Sequence, residues 1–200
     1  MTNTYHAFTK APAPGAPLIF AFHGTGGNEF QFNELIAEIR PDAGIVAPRG
    51  DVSEHGALRF FRRTGEGVYD MDDLKMRTER MAAYIADRKA ENPGHPVYGL
   101  GYSNGANILA SVVFQQPDLF EKIVLLHPLI PWRPEDNASL KDKEILITAG
   151  ERDPICPLPL TEQLASYFSR QGSRLDTFYH PGGHEIRQGE LQALAQYFTV

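Results

Sequence analysis

Gly101-Tyr102-Ser103-Asn104-Gly105 lies between a run that reads as a strand, Pro96-Val97-Tyr98-Gly99-Leu100, and one that reads as a helix, Ala106-Asn107-Ile108-Leu109-Ala110-Ser111-Val112-Val113. The five-residue string alone matches many unrelated chains. A G-x-S-x-G pattern at a strand-to-helix turn is far more specific: it is a nucleophile elbow. The turn holds the serine in a strained backbone conformation and lifts its Oγ above the sheet. The flanking glycines let the helix approach the strand closely.

Outward from this turn, strand-like and helix-like segments alternate. Residues 17–22, 44–48, 122–126, 143–150 and 175–179 read as strands, with an edge strand over 4–9. Helices are expected over 29–39, from about Asp70 to Asn92-Pro93-Gly94, over 158–171 and over 187–198. Asp70 is placed to cap the second of these, with Asp73 in its first turn. Near-continuous apolar strands separated by helices imply an α/β fold, a mostly parallel sheet covered on both faces. The stretch from Arg49 to Val68 reads as irregular, and a loop of that length in a compact domain is usually functional or partly structured.

Composition sets outer bounds. The 200 residues fit one domain, 1–200, with no room for a large lid. Hydrophobic residues at 42% and charged residues at 22% are those of a soluble globular chain. The net charge of −6 argues against nucleic acid as a partner. The single cysteine, Cys156, excludes an intramolecular disulfide. No basic, apolar leader opens the chain, and the apolar run at 17–22 is far shorter than a membrane span. The expected location is the cytoplasm.

The chemically suggestive residues fall just after expected strands. Ser103 follows 97–101, Asp153 follows 143–149 and His184 follows 175–179. In parallel sheets ligands sit beyond the carboxyl ends of the strands. The order Ser, Asp, His is that of α/β-hydrolases. A serine hydroxyl is a weak nucleophile; it needs an imidazole to take its proton, and the imidazole needs a carboxylate to fix its tautomer. Asp136 and Asp142 precede their strand, so Glu151 is the nearest rival to Asp153. His180 competes with His184, but His184 follows Pro181-Gly182-Gly183 on a loop able to reach the serine.

His23-Gly24-Thr25-Gly26-Gly27 ends the 17–22 strand and lacks the lysine of a phosphate loop. In this fold class an oxyanion hole forms from the residue after the serine and from such a loop, here the backbone N–H groups of Asn104 and Thr25. Losing one donor of this kind typically costs about 3–4 kcal/mol of transition-state stabilisation. His23 reads as a brace for the loop, and Cys156 as a packed side chain beside Asp153. Phe60 and Phe61 are candidates to line an acyl or aryl pocket, with core packing as the competing reading. Zinc wants three or four ligands, and His180 and His184 share no helix face, so no metal is expected.

Together, Gly101-Tyr102-Ser103-Asn104-Gly105, the His23 loop, Ala149-Gly150-Glu151-Arg152-Asp153-Pro154-Ile155 and Gly183-His184 resemble the bacterial phospholipase/carboxylesterase family. The likeness runs from about Leu18 to the end. Pro48-Arg49-Gly50 followed by Arg59-Phe60-Phe61-Arg62-Arg63 resembles a subgroup of hydrolases, some linked to quinone or aromatic stress. Many members carry G-F-S-Q-G where this chain has Tyr102 and Asn104. The resemblance implies a single-domain α/β-hydrolase without metal or cofactor, acting on small-molecule esters of modest acyl length, and often a homodimer. Thioesters and cyclic enol-lactones are the alternative substrates for the same triad. A catalytically idle binding protein is the alternative from a different class.

Overall fold

The computed structural model describes residues 4–199. Its centre is a seven-stranded sheet. In chain order the strands and helices that build it and its flanks begin with β1 (Ala7–Lys10), β2 (Leu18–Phe22), α1 (Asn33–Ile39) and β3 (Gly44–Pro48). Two small hairpins follow, β4 (Val52–Glu54) with β5 (Ala57–Arg59), and β6 (Arg63–Gly65) with β7 (Val68–Tyr69). Then come α2 (Met71–Glu91), β8 (Val97–Tyr102), α3 (Asn104–Gln115), β9 (Lys122–Leu126), β10 (Glu144–Gly150), α4 (Leu158–Arg170), β11 (Arg174–His180) and α5 (Gln188–Thr199). The sheet order is β1-β3-β2-β8-β9-β10-β11. Within this sheet only the edge pair β1–β3 is antiparallel, and its other pairings are parallel.

Alternation along the strands feeds two cores. Leu18, Phe20 and Phe22 of β2 pack toward α2, α3 and α4, with Met81, Ile108 and Phe168. Ile19 and Ala21 face the opposite core, shared with Ile36 of α1 and with Leu194 and Phe198 of α5. Strands buried on both faces explain why β2, β3 and residues 123–126 of β9 read as unbroken apolar runs.

Three elements depart from the expectations. The edge strand is Ala7–Lys10, not residues 4–9, because it pairs from Ala7 opposite Pro48 to Lys10 opposite Ile45. The first helix starts at Asn33, not 29. Asn28 instead closes a turn through its Oδ1 to Phe30 N, while Gln31 and Glu29 are committed to partners outside a helix. The stretch 49–68 folds as hairpins whose strands are too short to show alternation; His55 and Gly56 both adopt positive φ at the first turn. By contrast, Asp70 caps α2 as expected, accepting from Asp73 N at 3.0 Å.

The elbow glycines mark a close approach of backbones. A Cβ on Gly105 would lie 2.2 Å from Phe22 O and 2.5 Å from His23 O; one on Gly101 would lie 2.6 Å from Gly105 O. These obstacles are main chain and cannot rotate away. Gly105→Ala should therefore lower folding stability by about 3 kcal/mol, read as a reduced urea midpoint. A midpoint equal to that of the unsubstituted protein would contradict so tight a contact.

Candidate active site

The carboxyl ends of β2, β8, β10 and β11 lie on one edge of the sheet, since these strands run parallel. Ser103 sits between β8 and α3 with φ 53° and ψ −119°, a conformation that costs a non-glycine residue about 1–3 kcal/mol. Its N–H donates to Leu126 O at 2.9 Å, which holds the turn against β9. His184 Nε2 lies 2.9 Å from Ser103 Oγ, and His184 Nδ1 lies 2.7 Å from Asp153 Oδ2. With Nδ1–H donating to the Asp153 carboxylate, the Nε2 lone pair is free to accept the serine proton. Glu151, the rival acid, stays exposed and makes no such contact with His184.

Asp153 is buried, and four donors converge on it. Its Oδ1 accepts from Ile155 N at 2.8 Å and Cys156 N at 2.9 Å. Its Oδ2 is shared between His184 and a second imidazole, His127 Nδ1, at 3.0 Å. Burial opposes the carboxylate's charge, but the bonds from Cys156, His184, His127 and Ile155 outweigh it and hold the group below its ordinary range. Tyr102 secures the histidine loop from below, its hydroxyl donating to His184 O at 2.7 Å. Burial pushes that phenol up to about 12.

The loop after β2 is braced as expected. His23 Nδ1 donates to Gly24 O at 2.7 Å, and Nε2 accepts from Gly50 N at 2.9 Å. Burial lowers the His23 pKa, in keeping with this neutral role. Gln31 Oε1 takes the Gly24 N–H at 2.9 Å. Thr25 and Asn104 both line the same cavity as Ser103 and His184. As the first residue of α3, Asn104 has a backbone N–H with no partner inside the helix. Its side chain ties the elbow to the hairpin region by accepting from Phe60 N at 2.7 Å.

The cavity measures about 460 Å³. Phe60 and Phe61 do not line it: both are buried in the core beneath α2 and α3, where Phe60 packs edge-on against Phe22 and Phe61 against Tyr69. The aromatic pair is thus core, and its neighbour Arg59 reaches the cavity instead. Arg59 is buried, its Nη1 donating to Thr25 Oγ1 at 2.8 Å and lying 3.6 Å from Glu54. Burial lowers the guanidinium's pKa. Arg63, Tyr69, Leu129, Ile155 and Leu160 complete much of the wall.

His127 and Glu190 had no place among the expected residues. His127 follows β9 with φ 49°, and its Nε2 lies 2.9 Å from Glu190 Oε1. Glu190 also accepts from Thr148 Oγ1 at 2.6 Å and from Arg187 N at 2.7 Å. His180 faces Glu190 Oε2 at 3.0 Å, out of line for a full hydrogen bond. These groups come as close as metal ligands do. However, Gly182 N donates to His180 Nδ1, so the His180 proton sits on Nε2 and that nitrogen has no lone pair to offer.

Fold and site define an α/β-hydrolase of the carboxylesterase type. Residues 2–186 match the model of the dienelactone hydrolase family, and the chain belongs to that family. Among curated relatives, the Bacillus subtilis protein named "Putative hydrolase MhqD" is 36% identical over 197 residues, 96% of each chain. Among solved structures, protein Atu2452 of Agrobacterium tumefaciens, described as of unknown function, aligns with a TM-score of 0.93 at 51% identity, covering 100% of this chain and 98% of that one. A Bacillus cereus carboxylesterase aligns with a TM-score of 0.90 at 31% identity, covering 96% and 92%. The chain is an esterase-type hydrolase, and no helix among the described residues is long and apolar enough to cross a membrane.

Proposed function

We propose that the chain is a serine hydrolase that cleaves small carboxylic esters through an acyl-enzyme. The unbroken line of hydrogen bonds from Ser103 through His184 to Asp153 carries this reading. Ser103 Oγ attacks the ester carbonyl while His184 Nε2 takes its proton. The carbonyl oxygen gains charge and is held by the N–H groups of Thr25 and Asn104. His184 passes its proton to the leaving alcohol as the C–O bond breaks. Water then loses a proton to His184, attacks the acyl-enzyme, and releases the acid and Ser103. The reading carries with it a cytoplasmic location and no nucleic-acid partner, in keeping with the net charge of −6.

Lactone hydrolysis is a second reading, favoured by the family and by Arg59 and Arg63 in the cavity, two guanidiniums that share the single carboxylate of Glu54 and so leave one positive charge in excess. A guanidinium there suits a lactone or ester that bears its own carboxylate. Comparing kcat/KM on aryl acetates, acyl thioesters, and neutral and carboxylate-bearing lactones separates the readings. The ester reading expects aryl acetates to lead; a lead for acidic lactones transfers the assignment to the second reading. Turnover of none of them would refute both.

A further inference from the structure

Behind the Ser103–His184–Asp153 line lies a second histidine that acyl transfer does not require. His127 is fully buried and offers its two ring nitrogens to two buried carboxylates, Asp153 Oδ2 at 3.0 Å and Glu190 Oε1 at 2.9 Å. A neutral imidazole has one N–H and one lone pair. Turned toward two carboxylates, the lone pair of a neutral ring would face an anionic oxygen at hydrogen-bond distance. An imidazolium donates on both sides.

We propose that His127 is a positioning residue held as an imidazolium between Asp153 and Glu190, and that its charge limits how readily His184 retains a proton. The inference rests on the serine-hydrolase reading. Its first arm, the protonation of one histidine, can be measured without any turnover.

The surroundings support a cation at this spot. Burial disfavours charge on His127, yet the bonds to Glu190 and Asp153 outweigh it and raise its pKa. Glu190 is completely buried, and burial opposes its charge too. Bonds from His127, Thr148 and Arg187 N nonetheless keep its pKa low. The other groups around the ring bring no competing charge. Tyr102, at the end of β8, is 5.9 Å away between ring centres and keeps its proton. Cys156 directs its thiol to His127 O at 3.2 Å and is pushed up by burial. His180, at the end of β11, is 5.5 Å away and carries its proton on Nε2. Thr148 of β10 reaches the ring only through Glu190.

His184 is the remaining neighbour, 5.3 Å away between ring centres and bound to the same Asp153 oxygen. Two cations would then share one carboxylate whenever His184 is protonated. The fixed charge on His127 weakens the hold of Asp153 on that extra proton. The charge on His127 thus stands directly behind the proton that His184 takes from Ser103 during acyl transfer.

Imidazole nitrogen NMR on the unsubstituted protein tests the charge, with His127 assigned through its contacts to the Tyr102 and His180 rings. Both of its nitrogens should carry protons at pH 8; one unprotonated nitrogen would overturn the proposal. Two variants test the consequence. Glu190→Gln keeps the shape but removes the anion that holds the charge. His127→Asn removes the ring with a residue that tolerates its positive φ. In each, the acid limb of the kcat/KM profile should move up by about one pH unit. A folded variant whose turnover and melting temperature fall while that limb stays put would show a merely structural role and refute the proposal. If neither variant folds, the nitrogen measurement alone decides.

Discussion

Ser103→Ala should cut turnover of p-nitrophenyl acetate by about 10⁶-fold, the scale seen when a triad nucleophile is removed from a serine hydrolase. The site geometry leaves no substitute. Ser103 Oγ is the hydroxyl bonded to His184 Nε2, and the one thiol nearby, Cys156, is 1% exposed, bonded to His127 O and pushed up by burial. Alanine keeps the Cβ and the Ser103 N–H bond to Leu126 O, so the elbow should hold its shape. The melting temperature should stay near that of the unsubstituted protein, while steady-state assay and burst measurement both read the loss. Turnover within tenfold of normal would remove Ser103 from the chemistry.

Asp153→Asn should cost about 10⁴ in kcat. The carboxylate accepts four donors, and an amide offers only one oxygen. If that oxygen keeps the Ile155 and Cys156 N–H groups, the new NH₂ faces both His184 and His127. His184 can then accept from the amide only through Nδ1, which places its proton on Nε2, against Ser103. The general base is lost although every ring remains in place. The same bonds make a pH prediction. The Asp153 pKa is lowered in the folded state from an ordinary value near 3.8, so its stabilising contribution is present above that value. It disappears as pH falls through the lower folded value. Acid unfolding should accordingly be less steep in Asp153→Asn than in the unsubstituted protein; equal steepness would contradict this.

What could be read from the chain follows from where its physics is local. β2, β3 and, beyond Lys122, β9 announce themselves because strands covered on both faces are apolar along nearly their whole length. The elbow announces itself because only glycine fits where Gly105 meets Phe22 O. The placement of Asp153 and His184 after β10 and β11 follows from the rule that ligands gather at strand carboxyl ends. That rule points to His127, immediately after β9, as well, but a triad template has no slot for a fourth group. Glu190 is harder still, since an acid in a helix's first turn looks like an ordinary dipole partner. Its role depends on His127, far away in the chain. In the sequence Phe60 and Phe61 fit pocket and core equally, because two adjacent aromatics carry no periodicity. The hairpin twist that sends Arg59 to the cavity and both rings inward arises only once β4 pairs with β5.

Whether Ser103 is chemically activated is the question beneath all of these. A fluorophosphonate probe followed by peptide mass spectrometry answers it without a natural substrate. The expected result is a single adduct on Ser103, formed more slowly at acidic pH and absent in His184→Ala. An unlabelled protein, or an adduct on any other residue, would contradict the account.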